Sequence, residues 1–264
     1  LISSTIFRQA MESDIIKNAH RINDGTQIAL DNKSRDFLCV KRKNAPDILG
    51  VMVLLIRDKL PGYLGVRPAD IQVLTPMRKG ELGVANLNKI LQYYLNPAAP
   101  DKHEREFHGG ILREGDKVMQ IRNDYQLEWE VRGKYGIPVD SGTGVFNGDA
   151  GIVREINAFA ETVSVEFDEE RTVEYLYSQL DELELAYAVT VHKSQGSEYP
   201  GVVLPLLAGP RMLMNRNLLY TAVTRAKTLV CVVGPPDAFQ AMVDNTTEQR
   251  RYSSLEKRLK ELEE

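Results

Sequence analysis

The chain has 264 residues, 43% hydrophobic and 27% charged, with a formal net charge of −4, which suits one large or two modest globular domains and excludes wholesale disorder. The acidic balance removes any global basic signal, so a nucleic-acid contact has to come from a local patch. No apolar run approaches the roughly 18 residues of a membrane span, and Cys39 and Cys231, both in apolar surroundings, are too few for a disulfide scaffold or a thiolate metal site, which points to a reducing cytoplasm.

The chain starts LISSTIF, with neither Met nor a signal-peptide layout, and is expected to be a piece of a longer protein. Between Glu12 and Asn23, Ile15, Ile16, Ala19 and Ile22 recur at helical spacing, with Ser13 as N-cap and Gly25 as stop. The run Gly50–Ile56 reads as a buried helix segment or a strand. Asp70–Thr75, closed by Pro76, reads as a strand, and Gly83–Leu95 as a helix with Leu87, Ile90, Leu91 and Tyr94 on one face, ended at Asn96-Pro97. After His103 the texture changes. Lys117–Arg122, Gly151–Ile156, Thr162–Phe167 and Arg171–Tyr175 alternate and are separated by turn signals, the pattern of a small antiparallel barrel. Strand and helix then resume in Ala186–Val191, Val202–Leu207, Asn215–Ala226 and Thr228–Gly234, the order of a parallel α/β sheet. The expected organisation is an α/β domain over residues 1–120 and 184–245, interrupted by a β-barrel over 121–183 and followed by a charged helical tail over 246–264.

The strongest chemical signal is Thr190-Val-His-Lys-Ser-Gln-Gly-Ser-Glu198, directly after an apolar strand. Hydroxyls at Thr190 and Ser194, the charge of Lys193 and the open backbone of Gly196 make a surface for phosphate oxygens. Taken alone, this reads first as a mere polar loop. Asn215-Arg-Asn-Leu-Leu-Tyr-Thr-Ala-Val-Thr-Arg-Ala226 then leads into the strand Thr228–Gly234. In that order and spacing, the two stretches resemble motifs V and VI of superfamily 1 helicases. Ile6-Phe-Arg-Gln-Ala10 resembles motif IV of RecD-type helicases. Val73-Leu-Thr-Pro-Met-Arg-Lys-Gly80 resembles the segment that follows motif IV there, and Gly115-Asp-Lys-Val-Met-Gln120, then Val145-Phe-Asn-Gly-Asp149, resemble the run before that family's barrel insertion. The resemblance covers Ile2 to about Gly234 and points to the C-terminal part of a RecD-type superfamily 1 DNA helicase (exodeoxyribonuclease V alpha subunit). It implies a RecA-like, P-loop-NTPase-type parallel sheet, the second motor domain, with an inserted SH3-like barrel.

The resemblance also implies roles. Arg8 and Arg225 reach the γ-phosphate of ATP as arginine fingers. Gln195, Gly196 and Glu198 contact the nucleotide or relay its state. Thr190, His192, Lys193 and Ser194 grip the backbone of single-stranded DNA without reading sequence, and Arg78 is a weaker candidate. Phe7 packs near the base or anchors a helix, and Tyr220 is read as core. Arg122, Tyr125, Trp129 and Arg132 form either a single-strand surface or, for Trp129, ordinary packing. Val163–Glu170 imitates a strand ending in a Walker B Asp-Glu, but its polar alternation fits a half-exposed hairpin. No G-x-x-x-x-G-K-[ST] loop occurs in the sequence. The phosphate-cradling loop and the acid that holds Mg²⁺ are therefore expected in an N-terminal RecA-like domain of the same polypeptide, and the piece alone is expected to be inactive. Metal ligands are not expected in this half. Family resemblance implies 5′→3′ polarity, a role in recombination and repair, and nuclease or second-motor partner subunits. The helicase part of a conjugative relaxase and a non-catalytic nucleic-acid-binding module are the competing readings.

Overall fold

In a computed structural model the described residues are 13–247 except Lys134; Phe7, Arg8 and the charged tail from Glu248 onward lie outside them. The first helix, α1 (Asp14–Asp24), buries Ile15, Ala19 and Ile22 and stops at Gly25, whose φ of 71° lets its N–H return to the last turn. Ser13 stands at the N-cap position, but its hydroxyl donates to Asp36 Oδ2 at 2.6 Å rather than capping the helix. Next come strand β1 (Phe37–Val40) and helix α2 (Ala45–Leu54), which a π-helical turn (Leu55–Lys59) joins to α3 (Leu60–Leu64). The ambiguous run Gly50–Ile56 is thus helical. Asn44 Oδ1 accepts from Asp47 N at 2.9 Å, Pro46 occupies the first turn, and a start capped in this way overrides the strand propensity of its valines.

Strand β2 (Ile71–Thr75) and helix α4 (Val84–Leu95) follow, close to their expected limits. The chain later returns through β12 (Ala188–Thr190), β13 (Tyr199–Pro205), α5 (Arg216–Val223), β14 (Ala226–Val233) and α6 (Pro236–Asp244). Five strands form one sheet in the order β1-β14-β13-β2-β12, and every pairing in it is parallel. Both faces are covered, as a parallel sheet requires. Phe37, Leu74, Val202 and Leu204 meet α1, α5 and α6 on one side. Val73, Val203 and Cys231 meet α2, α3 and α4 on the other.

Between α4 and β12 the chain builds antiparallel structure. A hairpin, β3 (Glu104–Phe107) with β4 (Gly110–Arg113), precedes β5 (Lys117–Gln120), β6 (Asp124–Arg132), β7 (Pro138–Val145), β8 (Ala150–Asn157), β9 (Thr162–Phe167), β10 (Arg171–Leu176) and β11 (Leu183–Leu185). The last seven form a sheet in the order β11-β5-β8-β9-β10-β6-β7 over a core of Val153, Val163, Val173 and Tyr175. A short 3-10 turn at Asp168–Glu170 joins antiparallel β9 and β10. The Walker B imitation is therefore a hairpin end, as its alternation suggests.

The two sheets meet at Asp116 and Lys117. Asp116 is fully buried and accepts from Gln92 Nε2 (2.5 Å), Asn96 Nδ2 (2.7 Å), Arg113 N (2.7 Å) and the Tyr187 hydroxyl (2.8 Å). Burial raises its pKa despite these donors. Lys117 Nζ donates to Ala69 O (2.8 Å) and Gln72 Oε1 (2.9 Å), and burial pushes the ammonium down to about 8. The amide of Gln72 donates onward to Ala186 O and Tyr187 O, both at 3.1 Å. Each buried charge is thus met by polar partners, as burial demands.

Candidate functional site

The segment Val191–Glu198 crosses the parallel sheet from one end to the other. In register, Thr190 faces Thr75, the last residue of β2, whereas Gly201 of β13 faces Ile71, the first. The chain therefore leaves β12 at the carboxyl ends of the strands and enters β13 at their amino ends, a span of about 15 Å at the usual strand rise. Val191 anchors the crossing in the core shared with α1 and α5.

At the carboxyl end, Thr190 caps a 3-10 turn (Val191–Ser194), its Oγ1 accepting from Lys193 N at 3.4 Å. His192 is exposed and Lys193 half-buried. Ser194 is fully buried and its hydroxyl donates to Val191 O at 2.7 Å, so it fastens the turn from inside rather than facing solvent. Lys193 Nζ is held by Glu184 Oε2 at 2.8 Å, and Arg78, from the loop after β2, reaches Glu184 Oε1 at 3.2 Å. Glu184 belongs to none of the motifs; its one signal in the sequence is a carboxylate between Leu183 and Leu185 on an alternating strand.

In the middle of the crossing, Gln195 and Gly196 are exposed, and Gly196 adopts a φ of +90°. At the amino end, Arg225 follows the last turn of α5. Its Nη1 donates to Ser197 O (3.2 Å) and its Nε to Thr221 O (3.3 Å), while Tyr199 N donates to the Arg225 carbonyl at 2.8 Å. Those acceptors also suit a cation at a helix C-terminus. Among the described residues no carboxylate lies within ion-pair distance of Arg225, so its charge is oriented by neutral oxygens and available to an anion. Glu198 is exposed beside it, 3.6 Å from Lys227 Nζ. The structure thus brings Glu198 to Arg225 and Thr190 to Lys193, and separates the two groups by the length of β2.

Elsewhere, Trp129 packs on the core of the antiparallel sheet under the Arg171 guanidinium, 5.8 Å from its ring, and a Cβ on Gly142 would stand 2.5 Å from that ring. Arg122 pairs with Asp181 at 2.8 Å and Arg132 with Glu130. Tyr125 remains exposed, edge-to-face with Phe146 at 5.6 Å. Tyr220 is not core: α5 turns Leu218, Leu219, Ala222 and Val223 inward and leaves this residue 37% exposed. Among the described residues no three His, Cys, Asp or Glu side chains cluster as a metal site, and no helix is long and apolar enough to cross a membrane.

Residues 87–167 match the SH3 domain of ATP-dependent RecD-like DNA helicases, and residues 185–233 match the UvrD-like helicase C-terminal domain. Over 96% of its length the chain is 35% identical to the ATP-dependent RecD2 DNA helicase of Deinococcus radiodurans, covering 31% of that protein. It is 30% identical to the RecBCD enzyme subunit RecD of Mycolicibacterium smegmatis over 72% of its length, covering 29% of that subunit. A crystal structure of Pif1 helicase from Bacteroides in complex with ADP-AlF3 and ssDNA is also similar, at 17% identity and a TM-score of 0.47 over 95% of this chain and 54% of that one. The chain spans about a third of the two sequence relatives. It is related to the RecD-type superfamily 1 helicases along nearly its whole length, and carries matches to their SH3 domain and to a helicase C-terminal domain in that order.

Proposed function

We propose that this chain is the C-terminal motor part of an ATP-dependent DNA helicase that moves 5′→3′: a RecA-like domain with an inserted SH3-like barrel. ATP and Mg²⁺ would be shared with an N-terminal RecA-like domain of the same polypeptide, in a cytoplasmic enzyme of recombination and repair, alone or with nuclease and motor subunits. The observation that carries this reading is the crossing segment Val191–Glu198, which joins the Thr190–Lys193 end to the Arg225 end through one short stretch of backbone.

In this reading Arg225, with Arg8, offers planar donors to charge developing on the γ-phosphoryl group, and Glu198 with Gln195 and Gly196 borders the nucleotide. Mg²⁺, when bound, screens phosphate charge. Its protein ligands are expected outside this chain, which lacks a Walker A loop. Thr190, His192 and Lys193 meet the phosphodiester backbone of a single strand, and Ser194 holds their turn in shape. A change in the Arg225 contacts pulls on Ser197 and Tyr199 and so on the strand-gripping turn, a mechanical route from nucleotide to DNA.

The test is ATP turnover with and without single-stranded DNA. This chain alone should show none. In the whole protein Arg225→Ala should lower turnover by about a thousandfold or more, the usual worth of an arginine finger, with oligonucleotide affinity retained. Turnover by the isolated chain, or equal loss of both activities in the variant, refutes the reading.

A further inference from the structure

Two neighbouring strand-end loops bring one cation each to the same carboxylate. Arg78 comes from the loop after β2 and Lys193 from the turn after β12, and these strands pair side by side. Glu184, on the edge strand of the antiparallel sheet, takes Lys193 on one oxygen (2.8 Å) and Arg78 on the other (3.2 Å). The three side chains line a crevice with Val189 and Thr190 at the carboxyl ends of the parallel strands, where open α/β sheets take their ligands. The Arg78 side chain is 68% exposed and only its Nη2 meets the carboxylate, so the rest of its fork faces outward. A carboxylate that bridges a guanidinium and an ammonium presents two anionic oxygens to two donors, as a phosphodiester does.

Resting on the nucleic-acid reading above, we propose that Arg78 and Lys193 form a two-cation clamp for one backbone phosphate of the single strand, and that Glu184 holds the phosphate's place until DNA arrives. Binding exchanges one anion for another. Glu184 then loses its two partners, which loosens the β11 edge of the inserted sheet from the motor sheet. DNA occupancy is thereby coupled to the position of the insertion, and Glu184 sets the affinity by competing for the clamp.

The experiment is fluorescence anisotropy of a labelled oligo-dT on this chain across a potassium chloride series. Glu184→Gln keeps the shape and removes the competing charge. It should tighten binding about three- to tenfold, the range that two partly exposed ion pairs command. Arg78→Ala should weaken binding and reduce the slope of log affinity against log salt by about one contact. Arg78→Ala combined with Glu184→Gln should lose most of the gain. An oligomer of the same length with an uncharged methylphosphonate backbone should show no gain. If oligo-dT binds with the ordinary salt dependence, but Glu184→Gln leaves affinity unchanged or lowers it while melting temperature is retained, the clamp is refuted and Glu184 is only a staple between sheets. An unchanged salt slope in Arg78→Ala refutes it equally. If Glu184→Gln instead lowers the melting temperature, Arg78→Ala and its salt slope alone decide the outcome, because that exposed side chain can be removed without opening the core. If oligo-dT binds neither the wild type nor any variant, the nucleic-acid reading fails and the clamp with it.

Discussion

Lys117 Nζ, from the first strand of the antiparallel sheet, donates to Gln72 Oε1 in the parallel sheet at 2.9 Å. This ammonium is buried and its pKa falls from 10.5 to about 8. Between those values the unfolded chain holds a proton that the folded chain has released, so this group raises stability as pH rises through the window. The buried thiol of Cys231, pushed up to about 12, acts in the opposite sense above pH 9, because the unfolded thiol loses its proton first. The difference between wild type and Lys117→Met isolates the lysine. Urea unfolding at pH 7.5 to 10 should show wild type gaining on the variant, at a slope approaching about 1.4 kcal/mol per pH unit. A difference independent of pH would mean that Lys117 is not buried in solution.

Asp116 is the other half of that junction, with four donors aimed at its two oxygens. Asp116→Asn puts an amide donor among them and should cost about 2–4 kcal/mol, the loss of charge-assisted bonds plus one unmet donor. The sign of its pH effect opposes that of an ordinary salt-bridged acid. The folded pKa is raised, so ionisation of Asp116 removes stability as pH rises from the unfolded value through the raised one, and the variant should lack that component. Denaturant midpoints from pH 3.5 to 7 measure both.

Gly234 closes the far end of the parallel sheet. Its φ is +159° and a Cβ would lie 2.1 Å from Leu206 O, while its own N–H donates to Val40 O at 3.0 Å. Backbone rather than a movable side chain stands in the way, so Gly234→Ala should cost at least about 3 kcal/mol. Gly65, at φ +68° with nothing within 4 Å, is the control: there alanine meets only the conformational cost, about 1 kcal/mol. Thermal unfolding of the two variants gives the comparison.

The elements most legible in the sequence are those whose side-chain period is reinforced by an end signal. Gly25 stops α1, Pro76 follows β2 and Asn96-Pro97 ends α4, and each lies within a residue or two of its expected limit. Strand β1 is four residues long and is missed for that reason. Strand β7 is missed because its sequence PVDSGTGV has little strand propensity and buries only its last two residues. Helix α6 is hidden behind Gly234-Pro235, although Ala238, Phe239, Met242 and Val243 mark its buried face. Within the site, Thr190–Glu198 and Arg225 stand out as motifs. Their separation across the sheet depends on register, and the inward turn of Ser194 depends on a hydrogen bond to Val191, neither of which is written in local sequence. Glu184 is invisible for the same reason: its partners Lys193 and Arg78 are brought to it only by the pairing of β2 with β12 and of β5 with β11.

Gly196, midway along the crossing segment, tests whether that backbone is under conformational demand. Its φ is +90° and nothing stands within 4 Å of where a Cβ would be, so an added side chain meets no clash and the whole cost is backbone strain. Alanine there should cost about 1–2 kcal/mol, and asparagine less, because Asn visits left-handed conformations more readily. Gly50 offers the opposite case: it is exposed in the middle of α2 with nothing within 4 Å, and Gly50→Ala should stabilise the chain by about 0.5–1 kcal/mol through helix propensity. If Gly196→Ala matched Gly50→Ala in sign, the segment would be free to relax to negative φ. The backbone link between the Lys193 and Arg225 ends would then be loose, and the proposed mechanical route from nucleotide to DNA would fail.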